Sequence, residues 1–195
     1  MKLMDVSTTV NPTQGCIEIR IPEKYHCQPI VSRLISRYGL SVNIAAAAFE
    51  IETKKDAWFN LEIQGSYQQL KSGITYLQGL SVKVEQLNFQ TLTEQKIQDL
   101  QILCPNYVKK LDEGKMTQYQ TNRAKFQVCI PKNYRSFPII AGLVTHCGLT
   151  INITGALLDT NRENDGWFNL EIWGDREQIV SGLRYLKQLD LQIWL

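Results

Sequence analysis

The segment Asp56–Gly65 reads D-A-W-F-N-L-E-I-Q-G, and it returns about 109 positions later as Asp165–Gly174, D-G-W-F-N-L-E-I-W-G. The same offset aligns further pairs without a gap: Ile21-Pro22 with Ile130-Pro131, Tyr25 with Tyr134, Gly39-Leu40 with Gly148-Leu149, and Asn43-Ile44 with Asn152-Ile153. A repeat of about 70 residues is too long for a solenoid unit and long enough for a small domain with its own core. The sequence therefore predicts two related domains in tandem.

The composition is that of an ordinary globular protein, with 195 residues of which 44% are hydrophobic and 21% charged. The formal net charge of +2 is nearly balanced, so the chain needs no polyanionic partner. Because no apolar run reaches the length of a signal peptide or a membrane span, we expect a cytoplasmic protein. The five cysteines are odd in number and unmatched between the repeats, which is not the pattern of a disulfide framework.

The first half of each repeat predicts a strand, a helix and a second strand. Cys16–Ile21 alternates apolar and polar residues and stops at Pro22, which cannot donate to a sheet. Apolar residues at helical spacing follow Pro29, and Gly39 suits the left-handed position after a last helical turn. Leu40–Ile51 is predicted as a strand despite its alanine run, because the helix has just ended and the second copy is β-branched here.

The second half predicts a strand, a helix and a final strand. The strand Ala57–Gln64 follows a polar turn, and the final strand is expected at Leu80–Leu87 and at Leu189–Leu195. Capping boxes open the helix in both copies, formed by Ser66 with Gln69 and by Asp175 with Gln178. The order β-α-β-β-α-β predicts an α+β protein with two ferredoxin-like sandwich domains, each an antiparallel sheet with two helices on one face.

Four segments follow from this assignment. We expect a flexible arm at residues 1–14, a first domain at 15–88, a partly helical linker at 89–123 and a second domain at 124–195.

Alternation also assigns the two faces of each sheet. The third strand turns its aliphatic residues toward the helices and is expected to expose on the open face Trp58, Asn60 and Glu62. The second strand, with Val42 and Ile44 in the core, is expected to carry on that open face Asn43, Ala45, Ala47 and Phe49.

Two amides and a carboxylate near a tryptophan can hold the amino and carboxyl groups of an amino-acid-like ligand. The candidate ligand-binding residues, with their repeats, are Asn43, Trp58, Asn60 and Glu62, and Asn152, Trp167, Asn169 and Glu171. The alternative is that Asn60 and Glu62 are solvent-facing residues of a half-exposed sheet.

The open face of the second repeat bears Trp167, Trp173 and Trp194, more aromatic surface than a monomer normally leaves in water. We therefore expect the open faces or the edges of the sheets to pack together, either within the chain or in a homodimer. The functional form of this expectation is that a ligand binds between the packed faces or edges.

Other classes of site are not indicated. His26-Cys27 and His146-Cys147 lie at opposite ends of their helical regions and lack further ligands at metal-binding spacing, so we predict no metal and no cofactor. The strands lack the stacking aromatics and basic glycine signature of RNA-recognition domains, which argues against a nucleic-acid partner. Since no nucleophile, base and orienting residue recur together in both copies, the sequence does not predict an enzyme.

Three segments of the first repeat resemble the NIL domain: P-I-V-S-R-L-I-S-R-Y-G-L-S-V-N-I from Pro29, W-F-N-L-E-I-Q-G from Trp58 and S-G-I-T-Y-L from Ser72. Both repeats resemble this family, which is named for an Asn-Ile-Leu triplet. The domain is found as the carboxy-terminal regulatory module of methionine-importer ATPases and in some ferredoxin-type proteins. Here the triplet reads Asn43-Ile44-Ala45 and Asn152-Ile153-Thr154.

The resemblance implies a ferredoxin-like fold and amino-acid binding, with methionine as the family ligand, near the triplet and commonly at a junction between two such domains. Carried over to this chain, the asparagines are Asn43 and Asn152. The missing leucine changes an apolar wall, and such a change alters which side chain fits by about 1–3 kcal/mol per methylene. We therefore expect a non-enzymatic regulatory or sensor protein that binds methionine or a related amino acid and acts on a protein partner. The alternative is a protein–protein interaction module or scaffold without a small-molecule ligand.

Overall fold

A computed structural model describes residues 12–50, 55–91 and 122–195. Most of the predicted arm and of the predicted helical linker lies outside these residues. The strands are β1 (Thr13–Ile21), β2 (Ser41–Glu50), β3 (Ala57–Gly65), β4 (Lys83–Thr91), β5 (Asn122–Ile130), β6 (Thr150–Leu158), β7 (Gly166–Gly174) and β8 (Ile193–Trp194). The α-helices are α1 (Ile30–Ser36), α2 (Tyr67–Gly79), α3 (Ile139–Cys147) and α4 (Arg176–Gln188). Short 3₁₀ turns, Glu23–Tyr25 and Lys132–Tyr134, precede α1 and α3.

Each repeat has the order β-α-β-β-α-β, so the predicted fold class of two tandem ferredoxin-like domains is confirmed. The two four-stranded sheets join into one antiparallel sheet with the order β4-β1-β3-β2-β6-β7-β5-β8. The join is made by β2 and β6, where Ala47–Glu50 pairs with Gly155–Leu158. The edges of the two sheets therefore meet within the chain. No helix of the described ranges is long and apolar enough to cross a membrane.

The helices cover one face of the sheet, and alternate strand residues form the core between them. In β3 the side chains of Phe59, Leu61 and Ile63 are buried, as their spacing predicts, while Trp58 and Asn60 are only partly covered.

Both predicted capping boxes are present and tie the helices of each domain together. Ser66 Oγ accepts from the backbone N–H of Gln69 at 3.3 Å, and Gln69 Oε1 accepts from the backbone N–H of Ser66 at 2.8 Å. The Gln69 amide also donates to the carbonyl of Gly39, whose φ of 63° lies in the left-handed region. Asp175 forms the same box in the second repeat. Each cap therefore fixes the start of one helix against the end of another.

The fourth strands begin later than predicted, at Lys83 and Ile193. The preceding helices end in tight turns in which Ser81 (φ 57°) and Asp190 (φ 55°) adopt left-handed conformations. In these turns apolar residues alternate with exposed polar ones, as they do in a strand. The alternation in the sequence therefore places the start of the fourth strand too early.

A β-bulge interrupts the middle strand of each domain. The register of β2 on β3 shifts between Ile44 and Ala46, and that of β6 on β7 shifts between Ile153 and Gly155. Because the extra residue reverses the alternation, Ala47 lies opposite Phe59 on the helix-covered side.

The prediction that Ala47 and Phe49 lie on the open face is therefore wrong. The Phe49 ring is buried in the core, 4.5 Å from the ring of His26 and 6.3 Å from that of Phe59, measured between ring centroids.

Replacing Phe49 with alanine tests the bulge. Because Phe49 is a core residue, Phe49→Ala should lower the free energy of unfolding by about 3–5 kcal/mol, measured by urea denaturation. The control is Leu157→Ala, which removes an apolar side chain that is 63% exposed on the open face and should change stability by about 0.5 kcal/mol or less. Equal effects of the two substitutions would contradict the assigned register.

Candidate site at the domain junction

In the residues that precede the bulges, β2 and β6 do not pair, and each strand meets the helical layer of the opposite repeat. In the described chain their pairing is confined to the four residue pairs that follow the bulges. The helix α1 contacts β6, and α3 contacts β2. The backbone N–H of Ile151 in β6 donates to Ser32 Oγ of α1 at 3.2 Å. The two domains are thus interlocked around the shared sheet.

Two cavities lie at this junction and are equivalent under the repeat. Cavity 1 lies between the β1–α1 turn of the first repeat and β6, and its lining includes Tyr25, His26, Gln28, Phe49 and Ile151–Ile153. Cavity 2 lies between the β5–α3 turn of the second repeat and β2, and its lining includes Tyr134, Arg135, Phe137, Leu158 and Val42–Ile44. Each cavity is therefore walled by one domain and closed by the Asn-Ile strand of the other.

Asn43 and Asn152 make the same contact across the junction. Asn152 Nδ2 donates to the carbonyl of His26 at 3.0 Å, and Asn43 Nδ2 donates to the carbonyl of Arg135 at 3.1 Å. Both asparagines are buried, and each takes a carbonyl of the opposite repeat. Both asparagines thus line a junction cavity and also hold the two domains together.

Glu62 belongs to the same junction. Its Oε2 accepts from Asn43 Nδ2 at 2.8 Å, and its Oε1 forms an ion pair with Arg162 of the β6–β7 hairpin. Arg162 also donates to Ser136 Oγ at 3.2 Å. The Asn43–Glu62 pair, predicted from strand alternation, is therefore linked to the second domain.

Arg135 is a buried residue of the junction that could not be identified from the sequence. Its guanidinium is almost fully buried and donates to the carbonyls of Asp159 at 2.5 Å, Asn164 at 3.0 Å and, across the junction, Ala45 at 3.0 Å. Its Nη1 also lies 3.2 Å from Asp159 Oδ1. Burial lowers the pKa of Arg135, and the Asp159 carboxylate opposes that shift. The only signal in the sequence is that arginine stands where the first repeat has His26.

His26 occupies the equivalent position in cavity 1 and is 5% exposed. Its Nε2 lies 3.2 Å from the carbonyl of Ile21, so this nitrogen carries the proton and donates. Its Nδ1 is then an acceptor, and it has no hydrogen-bond partner among the described residues. From the sequence, His26 is considered only as a metal ligand. Within the described ranges no cluster of three or more metal-binding side chains occurs.

The other candidate residues lie on the open face of the sheet and line neither cavity. Trp58 and Asn60 are half-buried there, and Asn169 accepts from Gln127 Nε2 at 3.0 Å. Glu171 is buried beside Arg123 and Lys125 of its own domain. Trp167 is 43% exposed, with its ring centroid 6.0 Å from that of Trp194. The structure thus separates the eight candidates into junction residues and open-face residues.

Comparisons with known proteins agree with the tandem arrangement. The family model described as the NIL domain matches residues 16–86 and 125–194. An uncharacterized protein of Synechococcus elongatus is 39% identical over 74 residues, which cover 38% of this chain and 89% of that protein. One of Synechocystis sp. is 36% identical over 72 residues, covering 37% of this chain and 73% of that protein. Each match is about as long as one repeat.

Two solved structures are similar to the chain at a low level. A protein assigned as a glycine cleavage system transcriptional repressor is 11% identical with a TM-score of 0.30, and the match covers 93% of this chain and 95% of that one. A chlorite dismutase of Candidatus Nitrospira defluvii is 8% identical with a TM-score of 0.27, covering 93% and 84%. Likeness at this level says nothing about function.

The hydrogen bonds that Asn43 and Asn152 donate across the junction lead to a specific prediction about stability. Asn152→Ala leaves the buried carbonyl of His26 without a donor and should lower the free energy of unfolding by about 1–3 kcal/mol in urea denaturation. Asn169→Ala, an exposed asparagine on the neighbouring strand, is the matched control and should cost about 0.5 kcal/mol or less. If both substitutions cost the same, Asn152 does not hold the junction.

Proposed function

Because the chain belongs to the NIL domain family, we propose that it is a non-enzymatic regulatory protein that binds methionine or a related amino acid at the junction of its two domains. The family itself suggests a regulatory, ligand-binding role. The identity of the ligand and the place of binding are the proposal.

One observation carries the proposal. The asparagine of each Asn-Ile pair, to which the resemblance assigns the ligand, lines a cavity formed by both domains. The lining combines apolar side chains such as Phe49 and Ile153 with polar groups such as His26 and Gln28, the mixture expected for a small amphipathic ligand.

Binding between domains also supplies a regulatory mechanism. A ligand that contacts both domains stabilises the joined arrangement by its differential affinity for that state. A partner protein that recognises the joined arrangement would then respond to the concentration of the ligand.

Cavity 1 has to widen to admit a whole amino acid. Its volume is about 20 Å³ and that of cavity 2 about 10 Å³, so cavity 1 has room for about one water molecule. Tyr25 and Gln28 in its wall are half-buried, and Tyr25 ends a three-residue 3₁₀ turn whose other residues are exposed. An outward movement of this turn enlarges the cavity without disturbing the sheet. The apparent affinity is then reduced by the fraction of molecules in which the cavity is open.

A panel of L-amino acids tests the proposal by thermal unfolding. A ligand at a hundredfold excess over its dissociation constant stabilises the folded state by about 2.7 kcal/mol, which raises the unfolding midpoint measurably. We expect such a rise with L-methionine or a close analogue in the native protein and in the control variant Asn169→Ala, and none with D-methionine. A panel in which no L-amino acid raises the midpoint would overturn the proposal.

A second candidate function, a protein-interaction module, is favoured by a patch on the open face of the second domain. Leu157 lies opposite Trp167 on the neighbouring strand, and Trp167 packs against Trp194. These three side chains are 43–63% exposed. Such contiguous apolar surface is typical of contact sites.

If this patch joins two copies of the chain, sedimentation velocity should reveal a concentration-dependent dimer that Trp167→Lys abolishes. The control Tyr67→Lys changes an exposed aromatic residue of α2 and should leave the dimer intact. A monomer at all concentrations would contradict self-association through the patch.

A further inference from the structure

We propose that the two junction sites have diverged, so that the ligand enters cavity 1 and hydrogen-bonds His26, while cavity 2 is a structural lock held by Arg135. This inference rests on the proposed function, since it states which of the two equivalent cavities binds the amino acid and through which group. It predicts one ligand per chain, although the chain contains two repeats.

The lock is described by the contacts of Arg135. Its two terminal nitrogens reach three carbonyls and one carboxylate, and the carbonyl of Ala45 belongs to the bulge of the opposite domain. Its Nε is buried without an acceptor among the described residues, so the terminal nitrogens alone hold the guanidinium in place. Widening cavity 2 by an outward movement of the turn that carries Arg135 would separate a buried cation from these acceptors, which is strongly unfavourable.

A second contact closes the same side of the junction. The hairpin that receives the Arg135 guanidinium, through Asp159 and Asn164, also carries Arg162, which pairs with Glu62 of the first domain. Opening cavity 2 therefore disturbs two arginine contacts between the domains.

Cavity 1 has a different residue at the position of this lock. His26 donates from Nε2 to Ile21 of its own repeat, and in the described chain its Nδ1 acceptor is buried without a donor. No group of the described residues donates to this acceptor, so it can accept a hydrogen bond from a group that enters the cavity. A ligand N–H group that reaches Nδ1 makes this bond, and the α-ammonium group of an amino acid is such a donor.

The walls of the two cavities differ in the same direction. Gln28 and Val31 line cavity 1 where Phe137 and Ile140 line cavity 2. Cavity 1 therefore has an amide and a smaller aliphatic side chain where cavity 2 has a phenyl ring and a larger one. The amide of Gln28 offers a polar ligand group a hydrogen bond that the ring of Phe137 cannot make.

Isothermal titration calorimetry tests the inference with named probes. These are L-methionine and L-leucine, together with their analogues that lack the amino group, 4-(methylthio)butanoate and 4-methylpentanoate. We expect one bound amino acid per chain and an affinity at least about tenfold lower for the matching analogue, because a hydrogen bond from a charged donor is lost.

Two substitutions of His26 distinguish the roles of its two ring nitrogens. In His26→Gln, the side-chain amide can still donate to Ile21 from near the position of Nε2, but the acceptor at Nδ1 is lost, so affinity should fall about tenfold or more. In His26→Asn, an acceptor remains near the position of Nδ1 and the donor is lost, so affinity should stay within about threefold of the native value. A purely structural role of His26 would not produce this contrast.

The matched change in cavity 2 is Arg135→Gln, which should lower the unfolding midpoint and leave affinity and stoichiometry unchanged. If that variant does not fold, Arg162→Gln removes the Glu62 ion pair and carries the same expectation. Two ligands per chain, unchanged affinity in His26→Gln, or equal affinity for an amino acid and its analogue would overturn the inference while the proposed function stands. If no amino acid binds, both are overturned.

Discussion

The β-bulge after the Asn-Ile pair in each domain determines how the two domains can meet. An extra residue at Ala45 and at Thr154 reverses the alternation and increases the local twist of the strand. As a result β2 and β6 pair only along the four residues after the bulges, and the strand segments before the bulges face the helical layer of the opposite repeat. The junction cavities, the crossed asparagine contacts and the buried Arg135 all lie where the strands have separated.

Polar groups fix the arrangement, while apolar burial stabilises it. The core is made of aliphatic and aromatic side chains from both repeats, packed as one continuous cluster. Within it, Asn43 and Asn152 pair with particular carbonyls of the other domain. Because a buried amide or carbonyl without a partner is costly, a small displacement of one domain on the other would break these bonds. The asparagines therefore set the alignment of two domains that could otherwise slide along an apolar interface.

Much of the fold can be read from the sequence because it depends on local patterns repeated twice. Capping residues such as Ser66 and the alternation around Phe59 act within one domain. Because of the duplication, each pattern can be recognised twice in the sequence. The bulge at Ala45 could not be predicted, because a run of alanines shows no alternation of apolar and polar residues that an extra residue would interrupt. The roles of Arg135 and His26 could not be predicted for a different reason. Arg135 contacts the β6–β7 hairpin of its own repeat and Ala45 of the opposite one, and His26 contacts Ile21 within a turn. Neither kind of contact can be derived from the alternation of one repeat. The open-face residues Asn60 and Asn169 were grouped with the junction asparagines because strand alternation records only the face of the sheet, and not the distance from its edge.

The most direct test of a junction site is NMR spectroscopy of selectively labelled side chains during titration with L-methionine. We expect the Asn152 side-chain amide and the His26 ring nitrogens to change their chemical shifts together in a saturable manner, while the indole N–H groups of Trp167 and Trp194 stay unchanged. Saturable shifts at the two tryptophans with an unperturbed His26 would place the ligand on the open face of the sheet and contradict the account.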